Sequence, residues 1–319
     1  INRIFMQLSK YFNINTDAEI TFESNPDDLT KKYLKSLRKT PVNRLSIGIQ
    51  SFSDDDLRFM NRAHNSSDAI SSVELASASG YENLSVDLIY GTPTMSNETW
   101  MENLKTVFEL QVNHLSCYSL TVEPRTALAR MIKQGKMPGV NDQKSVEQFN
   151  LLLKLISQNG FEQYEISNFC RNEKYAVHNS NYWKGEHYLG LGPSAHSYNG
   201  TSRQWNVANN SQYIKSLLNK ELNFDKEELT TANKYNEYVL TSLRTKWGTS
   251  VKKIRTDFGD EFENHFLHIL NKFKDDNFLI EKENVFYLSE KGKLFADKIA
   301  SELFYVTNKI SNARLHSLS

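Results

Sequence analysis

Carboxylate and carboxamide side chains recur at the ends of three predicted strands. Glu23, Gln50 and Asp87 each lie in a short run where apolar residues alternate with small or polar ones. Alternation with a period of two is typical of a strand. The carboxyl ends of parallel strands meet at one edge of a sheet, so these side chains would converge. We expect a binding site there whose side chains can hydrogen-bond a ligand.

The strand over residues 43–52, NRLSIGIQSF, is the clearest of the three. Its inward face carries serine and glycine, which leave room for a ligand, until Gln50 closes the strand. The alternative is a buried strand whose terminal glutamine caps a loop.

Arg62 follows in a loop, and an arginine at the same site could bind a carboxylate bidentately. A loop arginine is also commonly solvated or paired at the surface, so the pattern alone leaves its role open.

The elements that position these residues alternate between strands and helices. Strands are predicted near residues 20, 47, 87, 118 and 165, with a helix over 25–38 and a long loop over 122–140. This is the rhythm of a parallel α/β sheet, and the fifth strand is expected at residues 162–167.

Composition excludes several classes. The 319 residues carry 38 basic and 38 acidic side chains, so no polyanionic partner is indicated, and no apolar run is long enough for a transmembrane segment. Cys117 and Cys170 form no CxxC pair, which argues against a disulfide framework or a cysteine-built metal site within this chain. A reducing cytoplasm is the expected location.

Residues 168–205 have little periodicity but hold three histidines and several aromatics. His178 lies close to Tyr182 and Trp183, and a histidine between flat aromatic walls could ligate a haem iron. Alternatively, His178 and Asn179 hydrogen-bond the loop backbone while the two aromatics pack.

From residue 232 onward, helical patterns precede a hairpin over 279–281 and 285–288, an order that resembles a winged helix. A helix is expected over 260–275. The region carries 14 basic and 12 acidic residues, so no stripe for duplex DNA is indicated.

With these segments in view, the chain resembles the radical S-adenosylmethionine family that includes oxygen-independent coproporphyrinogen III oxidase, and most of all its HemW-type haem-chaperone branch. The resemblance covers nearly the whole chain. It is carried, in order, by EITFESNP, NRLSIGIQSF, the Asn61-Arg62 loop, SVDLIYGTP, YSLTVEP, QYEISNF, HNSNYW and GLGPSAHSY.

The resemblance implies two sets of binding residues. For S-adenosylmethionine, Glu23 would contact the amino group, Arg62 the carboxylate and Asp87 the ribose, with further contacts from Gln50 and Thr121. For haem, the branch carries an HNxxYW signature, matched here by His178, Asn179, Tyr182 and Trp183.

The chain differs from the family in the segments that bind an iron–sulfur cluster. The CxxxCxxC loop that binds a 4Fe-4S cluster and a following GGGTP segment do not occur, so we expect an N-terminally truncated chain that cannot ligate the cluster. The implied fold is a partial parallel (β/α) barrel without its first strands (1–170), a connecting region with the HNxxYW motif (171–231) and a winged-helix-like domain (232–319).

Three functions remain open. The first is a haem chaperone that delivers haem to respiratory haem proteins. The second is an enzyme that decarboxylates coproporphyrinogen III oxidatively. The third is an interaction module without cofactor, which leaves Glu23, Gln50, Arg62 and Asp87 unexplained. The HNSNYW segment favours the chaperone, with haem or porphyrin and haem-accepting proteins as partners.

Overall fold

The computed structural model describes residues 1–273 and 277–306, which form two compact units. The first unit is Ile1–Val177 and the second begins at His178. The domain limits expected at residues 170 and 231 stay predictions.

The first unit is an α/β unit, as expected. Its elements are α1 (Asn2–Leu8), β1 (Thr21–Ser24), α2 (Lys31–Leu37), β2 (Arg44–Gln50), α3 (Asp54–Phe59), α4 (Ser66–Ala78), β3 (Asn83–Tyr90), α5 (Asn97–Glu109), β4 (His114–Ser119), α6 (Ala127–Lys133), α7 (Asp142–Gln158), β5 (Glu162–Gln163) and β6 (Asn168–Cys170). The sheet order is β1-β2-β3-β4-β6-β5, and β1 to β4 are parallel. Within the described residues the sheet is open.

The two faces of this sheet differ sharply in chemistry. Ile47, Val86 and Leu115 are fully buried on one face, where β3 packs against α4 and α7. The strand period of two then places the intervening residues on the opposite face, and those are polar. The apolar face supplies the core, and the polar face is left for a ligand.

The fifth predicted strand, 162–167, begins where expected but is shorter, because only Glu162 and Gln163 form β5 and a separate strand follows. The segment breaks after Gln163, and β6 runs antiparallel to β4, pairing Cys170 with His114. Buried Glu165 explains the break, because its carboxylate accepts from the Ser167 amide at 3.1 Å and from the Asn168 side chain. A local carboxylate turn replaces the ladder.

Two helix predictions also need correction. The helix expected over 25–38 is a 3₁₀ turn, Pro26–Asp28, followed by α2, because the Thr30 hydroxyl caps the Tyr33 amide at 3.2 Å. The predicted loop over 122–140 contains α6, capped in the same way by Thr126.

The second unit combines a small antiparallel sheet with a winged-helix arrangement. Its elements are α8 (Val177–Lys184, which starts at the boundary), β7 (His196–Tyr198), β8 (Ser202–Asn206), α9 (Asn210–Leu218), β9 (Phe224–Glu228), α10 (Thr231–Leu243), β10 (Thr249–Ser250), α11 (Val251–Phe258), α12 (Asp260–Leu270), β11 (Leu279–Lys282), β12 (Val285–Leu288), α13 (Glu290–Lys293) and α14 (Ala296–Glu302). The sheets are β7-β8-β9 and β10-β12-β11.

The predicted hairpin is confirmed as β11 and β12, which pair antiparallel and carry β10 on one edge. The helix expected over 260–275 ends at Leu270 and continues as a 3₁₀ turn to Phe273. Residues 274–275 of that prediction, and residues 307–319 of the predicted C-terminal domain, lie outside the described residues. No helix of the described chain is long and apolar enough to cross a membrane.

Asp56 on α3 ties the end of β2 to the loop after β3. Its side chain is fully buried and accepts hydrogen bonds from Ser51 at 3.1 Å, Thr92 at 3.0 Å and Thr94 at 2.5 Å. A buried carboxylate with three hydroxyl donors is satisfied, and it fixes the chain directly after Gln50.

We expect Asp56→Ala to lower the free energy of unfolding by about 3 kcal/mol, because hydrogen bonds to a charged group contribute about 1.5–3 kcal/mol each and two buried donors, Ser51 and Thr92, lose their acceptor. Urea denaturation measures the loss. The matched control is Asp55→Ala, an exposed neighbour paired only with Arg58, which should cost less than about 1 kcal/mol. Equal losses in the two variants would contradict the assignment.

Candidate functional site

Gln50 and Arg62 meet over Gly48 at the carboxyl end of β2. An added Cβ at Gly48 would lie 2.9 Å from Gln50 Nε2 and 3.7 Å from Arg62 Nη2. Arg62 Nη2 donates to the Gly48 carbonyl at 3.1 Å and to Asn25 Oδ1 at 2.8 Å. A side chain at this position would require the end of the Gln50 side chain to shift, whereas Arg62 would remain at an ordinary contact distance.

Gln50 has a left-handed backbone conformation, with φ at 69°. This region is costly for residues other than glycine and is enriched at ligand-binding positions. The register between β2 and β3 also shifts between Ile47 and Gln50. The strain turns the Gln50 side chain back over Gly48 and is consistent with a binding role.

Asp87 lies on the polar face of β3 in a setting that disfavours its charge. The pKa of Asp87 is raised to about 6, chiefly by burial and also by the nearby carboxylate of Glu23. Hydrogen bonds from Ser116 and Ser46 and the charge of Arg44 act in the opposite direction. Ser46 Oγ lies 3.4 Å from both oxygens of Asp87.

The structure therefore brings four of the five predicted ligand residues to the polar face or its edge. The charge of Glu23 is close enough to raise the pKa of Asp87, and Gln50 and Arg62 form the second pair. Thr121 differs, since it is exposed and lies two residues beyond the end of β4.

A buried ion pair, missed by the sequence analysis, contacts the backbone of Val177. Arg44 is 4% exposed and its Nε lies 3.8 Å from Glu19 Oε2. The other oxygen of Glu19 accepts from the Val177 amide at 2.9 Å, at the first residue of α8. Glu19 therefore links the Arg44 guanidinium to the backbone of Val177, the last residue of the first unit.

Arg44 also retains unused donors. Nη1 donates to Thr21 Oγ1 at 3.3 Å, but Nε and Nη2 have no hydrogen-bond partner in the described chain. The sequence shows an arginine at the start of an apolar strand, but such a residue can equally lie exposed at the edge of a sheet, so the pattern does not predict a buried ion pair.

His114 continues the polar face but is not a base at neutral pH. Burial and the charge of Arg44 lower the pKa of His114 to about 3. Its ring nitrogens lie 2.7 Å from Ser85 Oγ and 2.6 Å from Tyr164 Oη. The ring is a neutral link between β3 and the bend near β5.

The four motif residues share one helix in the second unit. His178 and Tyr182 are four residues apart on α8, as are Asn179 and Trp183, so each pair shares a face. His178 and Tyr182 are exposed, and Asn179 and Trp183 are half-buried. The Tyr182 and Trp183 rings meet edge to face at 5.9 Å, and the Arg244 guanidinium lies 5.4 Å from the Trp183 ring.

The described residues contain no cluster of three or more metal-ligating side chains. Both cysteines are buried and free, on β4 and β6. Burial and the neighbouring Asp87 raise the pKa of Cys117 well above its usual value. These thiols do not form the ligand set of an iron–sulfur cluster.

Comparison with known proteins places these residues in a wider context. Residues 3–107 match the model of the radical SAM superfamily. The chain is 33% identical over 283 residues to the Bacillus subtilis protein named heme chaperone HemW, covering 88% of this chain and 75% of that one. It is 30% identical over 294 residues to the Mycobacterium tuberculosis protein of the same name, covering 92% and 73%.

Among solved structures, the chain is similar to coproporphyrinogen III oxidase (HemN) from Escherichia coli, titled a radical SAM enzyme. The TM-score is 0.80 at 24% sequence identity, covering 95% of this chain and 73% of that one. At that identity the likeness supports the fold alone.

We expect Asp87→Asn to stabilise the ligand-free protein at neutral pH. A raised pKa means that folding favours the protonated acid, so the wild type gains from Asp87 below pH 4 and loses that gain as pH rises to about 6. The advantage of the variant should grow by about 1 kcal/mol between pH 5 and pH 7.5. Urea denaturation at both pH values tests this, with Asp68→Asn, on exposed α4 surface, as control. A constant difference across pH would contradict it.

We expect a strong coupling between Glu19 and Arg44. Glu19→Leu and Arg44→Met should each cost about 3 kcal/mol of unfolding free energy because each leaves a buried charge unpaired, whereas the double variant should recover at least about 1 kcal/mol. The exposed pair Lys105–Glu109, 3.7 Å apart, is the matched control and should show almost no coupling. Faster hydrogen exchange at the Val177 amide should accompany Glu19→Leu. Additive losses and an unchanged Val177 amide would refute the role.

Proposed function

Because the chain belongs to the HemW family of the radical SAM superfamily, we propose that it is a haem chaperone, which binds haem through α8 and S-adenosylmethionine on the polar face of the first unit. The observation that carries the proposal is the HNxxYW motif on one exposed helix, with His178 and Tyr182 on the same face. Delivery of the haem to respiratory haem proteins is the further step we propose.

The S-adenosylmethionine site uses the two pairs of residues described above. Arg62 offers a guanidinium for the carboxylate of the methionine moiety, and Glu23 offers a carboxylate for its amino group. Asp87 would accept hydrogen bonds from the ribose hydroxyls. Gln50 would contact the remainder, and Thr121, at the exposed edge, would add a contact.

Two features of this structure fit such a ligand. The Nε of Arg62 is buried without an acceptor, which a bound carboxylate would relieve after a small rotation. The glycine at position 48 leaves room for the Gln50 side chain beside the strand, and an added Cβ would require that side chain to shift.

Haem suits α8 for a different reason. The neutral imidazole of a histidine is a common ligand of haem iron. Tyr182 and Trp183, four and five residues after His178, supply aromatic surface on the same helix. Asn179 lies on the adjoining face with Trp183, where it would hold the helix or the haem edge by hydrogen bonds.

A 4Fe–4S cluster is part of what the superfamily implies, but the two buried cysteines of this chain do not ligate it, and we assign it no step. Two free thiols suit a reducing compartment, so we propose that the protein acts in the cytoplasm.

We expect the full-length protein to show a saturable change in haem absorbance under anaerobic conditions. His178→Ala should weaken binding about tenfold or more, equivalent to about 1.4 kcal/mol, because the iron loses a ligand. His268→Ala is the matched control, since His268 is an exposed histidine on α12.

Two results would overturn the chaperone proposal. One is the absence of saturable haem binding by the wild type. The other is equal loss in His178→Ala and His268→Ala, which would indicate adventitious binding to surface histidines. Formation of protoporphyrinogen IX from coproporphyrinogen III by a sample that binds no haem would favour an oxidative decarboxylase.

A further inference from the structure

A cavity of about 520 Å³ lies in the second unit, beside the motif helix. We call it the aromatic cavity. It is bounded by residues from α8, the loop before β7, the β7–β8 hairpin, α10 and α11. Its volume falls within the range of small-molecule and cofactor sites. Six aromatic side chains line it, namely Tyr182, Trp183, Tyr188, Tyr198, Tyr238 and Phe258.

The aromatic residues form two surfaces of tilted rings. Tyr182, Tyr188 and Tyr198 form a ladder, with centroids 5.6 and 6.0 Å apart and ring planes inclined by only 33° and 36°. Tyr238 and Phe258, on α10 and α11, form the second surface, with centroids 5.9 Å apart. Aromatic surfaces of this kind favour a planar π-system as ligand.

The charges of the lining favour an anion. Four cations, Lys184, Arg203, Lys234 and Lys253, stand against two carboxylates, Glu237 and Asp257, which leaves a formal excess of two positive charges.

The two carboxylates are already engaged. Glu237 lies 2.7 Å from Arg203, and Asp257 lies 2.6 Å from Lys253. Lys234 is half-buried and has no ion-pair partner among residues 1–273 and 277–306. A half-buried lysine without a carboxylate partner is suited to a ligand that brings its own.

Hydrogen-bond donors that lack an acceptor also favour an anionic ligand. The lining contains two side-chain nitrogens that are sealed from solvent without an acceptor, Trp183 Nε1 and Arg203 Nε. No lining residue has an orphaned acceptor in the described chain. A ligand with carboxylate oxygens would satisfy these donors once either side chain rotates slightly.

We propose that the aromatic cavity holds the face of a planar tetrapyrrole that carries two carboxylates, with Lys234 and Arg203 as the carboxylate contacts. The inference deepens the proposed function and rests on it, because Tyr182 and Trp183 belong both to the motif and to this cavity. It assigns the porphyrin ring to the cavity and leaves iron ligation to His178.

Porphyrins that differ in one chemical group can distinguish iron ligation by His178 from binding of the ring in the aromatic cavity. Metal-free protoporphyrin IX keeps the ring and both carboxylates but needs no iron ligand, and its dimethyl ester also removes the charges. Binding to the full-length protein is followed by quenching of tryptophan fluorescence and by porphyrin emission. His178→Ala should weaken haem but leave metal-free protoporphyrin IX unchanged.

Three variants then test the cavity. Lys234→Gln should weaken protoporphyrin IX about fivefold and leave the dimethyl ester unchanged, because only a charge contact is lost. Tyr188→Leu should weaken both porphyrins about fivefold or more, because a stacking surface is lost. Lys220→Gln, an exposed lysine of the same unit outside the lining, should change neither. Thermal melting by circular dichroism checks that each variant folds as the wild type does.

The outcomes distinguish the two proposals. Haem binding that depends on His178 but is insensitive to Lys234→Gln, to Tyr188→Leu and to esterification overturns the cavity while the chaperone proposal stands. Absence of haem binding by the wild type overturns both. Equal loss in Lys234→Gln and Lys220→Gln indicates a diffuse charge effect and also overturns the cavity assignment.

Discussion

The alternation of side chains along four parallel strands is the constraint on which the first unit depends. It places every second residue of β1 to β4 in the apolar core and the others on the polar face of the sheet. Glu23, Ser46, Asp87 and Ser116 lie on that face, where Glu23 is in register with Ser46 and Asp87 with Ser116. A shift of one residue in any strand would bury these polar groups and expose the core. The candidate site therefore depends on the same register that holds the sheet together.

The polar face also shows why charge placement matters more than charge number. The chain is neutral overall, yet Asp87 is buried from solvent and lies near another carboxylate, so its ionised form is disfavoured. Arg44 moderates that cost for Asp87 and, being cationic, disfavours the charged form of His114. Arg44 thus influences the protonation of two neighbours, for both of which burial is the larger cause, and it also pairs with Glu19.

Much of the fold was predictable because period-two and period-3.6 patterns report burial directly. The strands at Gln50 and Asp87, the α/β class and the hairpin at residues 279–288 were found this way. The strand predicted at 162–167 was found only at Glu162 and Gln163, because Glu165 forms a local turn whose energy depends on tertiary burial. Residues 168–205 gave no period since they form short strands and one short helix. Arg203 could not be recognised as a cavity residue, because its neighbours Tyr188 and Glu237 are distant in the sequence.

The burial of both cysteines has a practical consequence for chemistry at the protein surface. Alkylation and disulfide exchange need an accessible thiolate, whereas Cys117 and Cys170 are 2% and 1% exposed and burial raises the pKa of Cys117. The two native cysteines should therefore react very slowly with maleimide reagents. A cysteine introduced on an exposed element, such as α9 or β9, would take up a dye or spin label alone, and distances within each unit could be followed without first removing native cysteines.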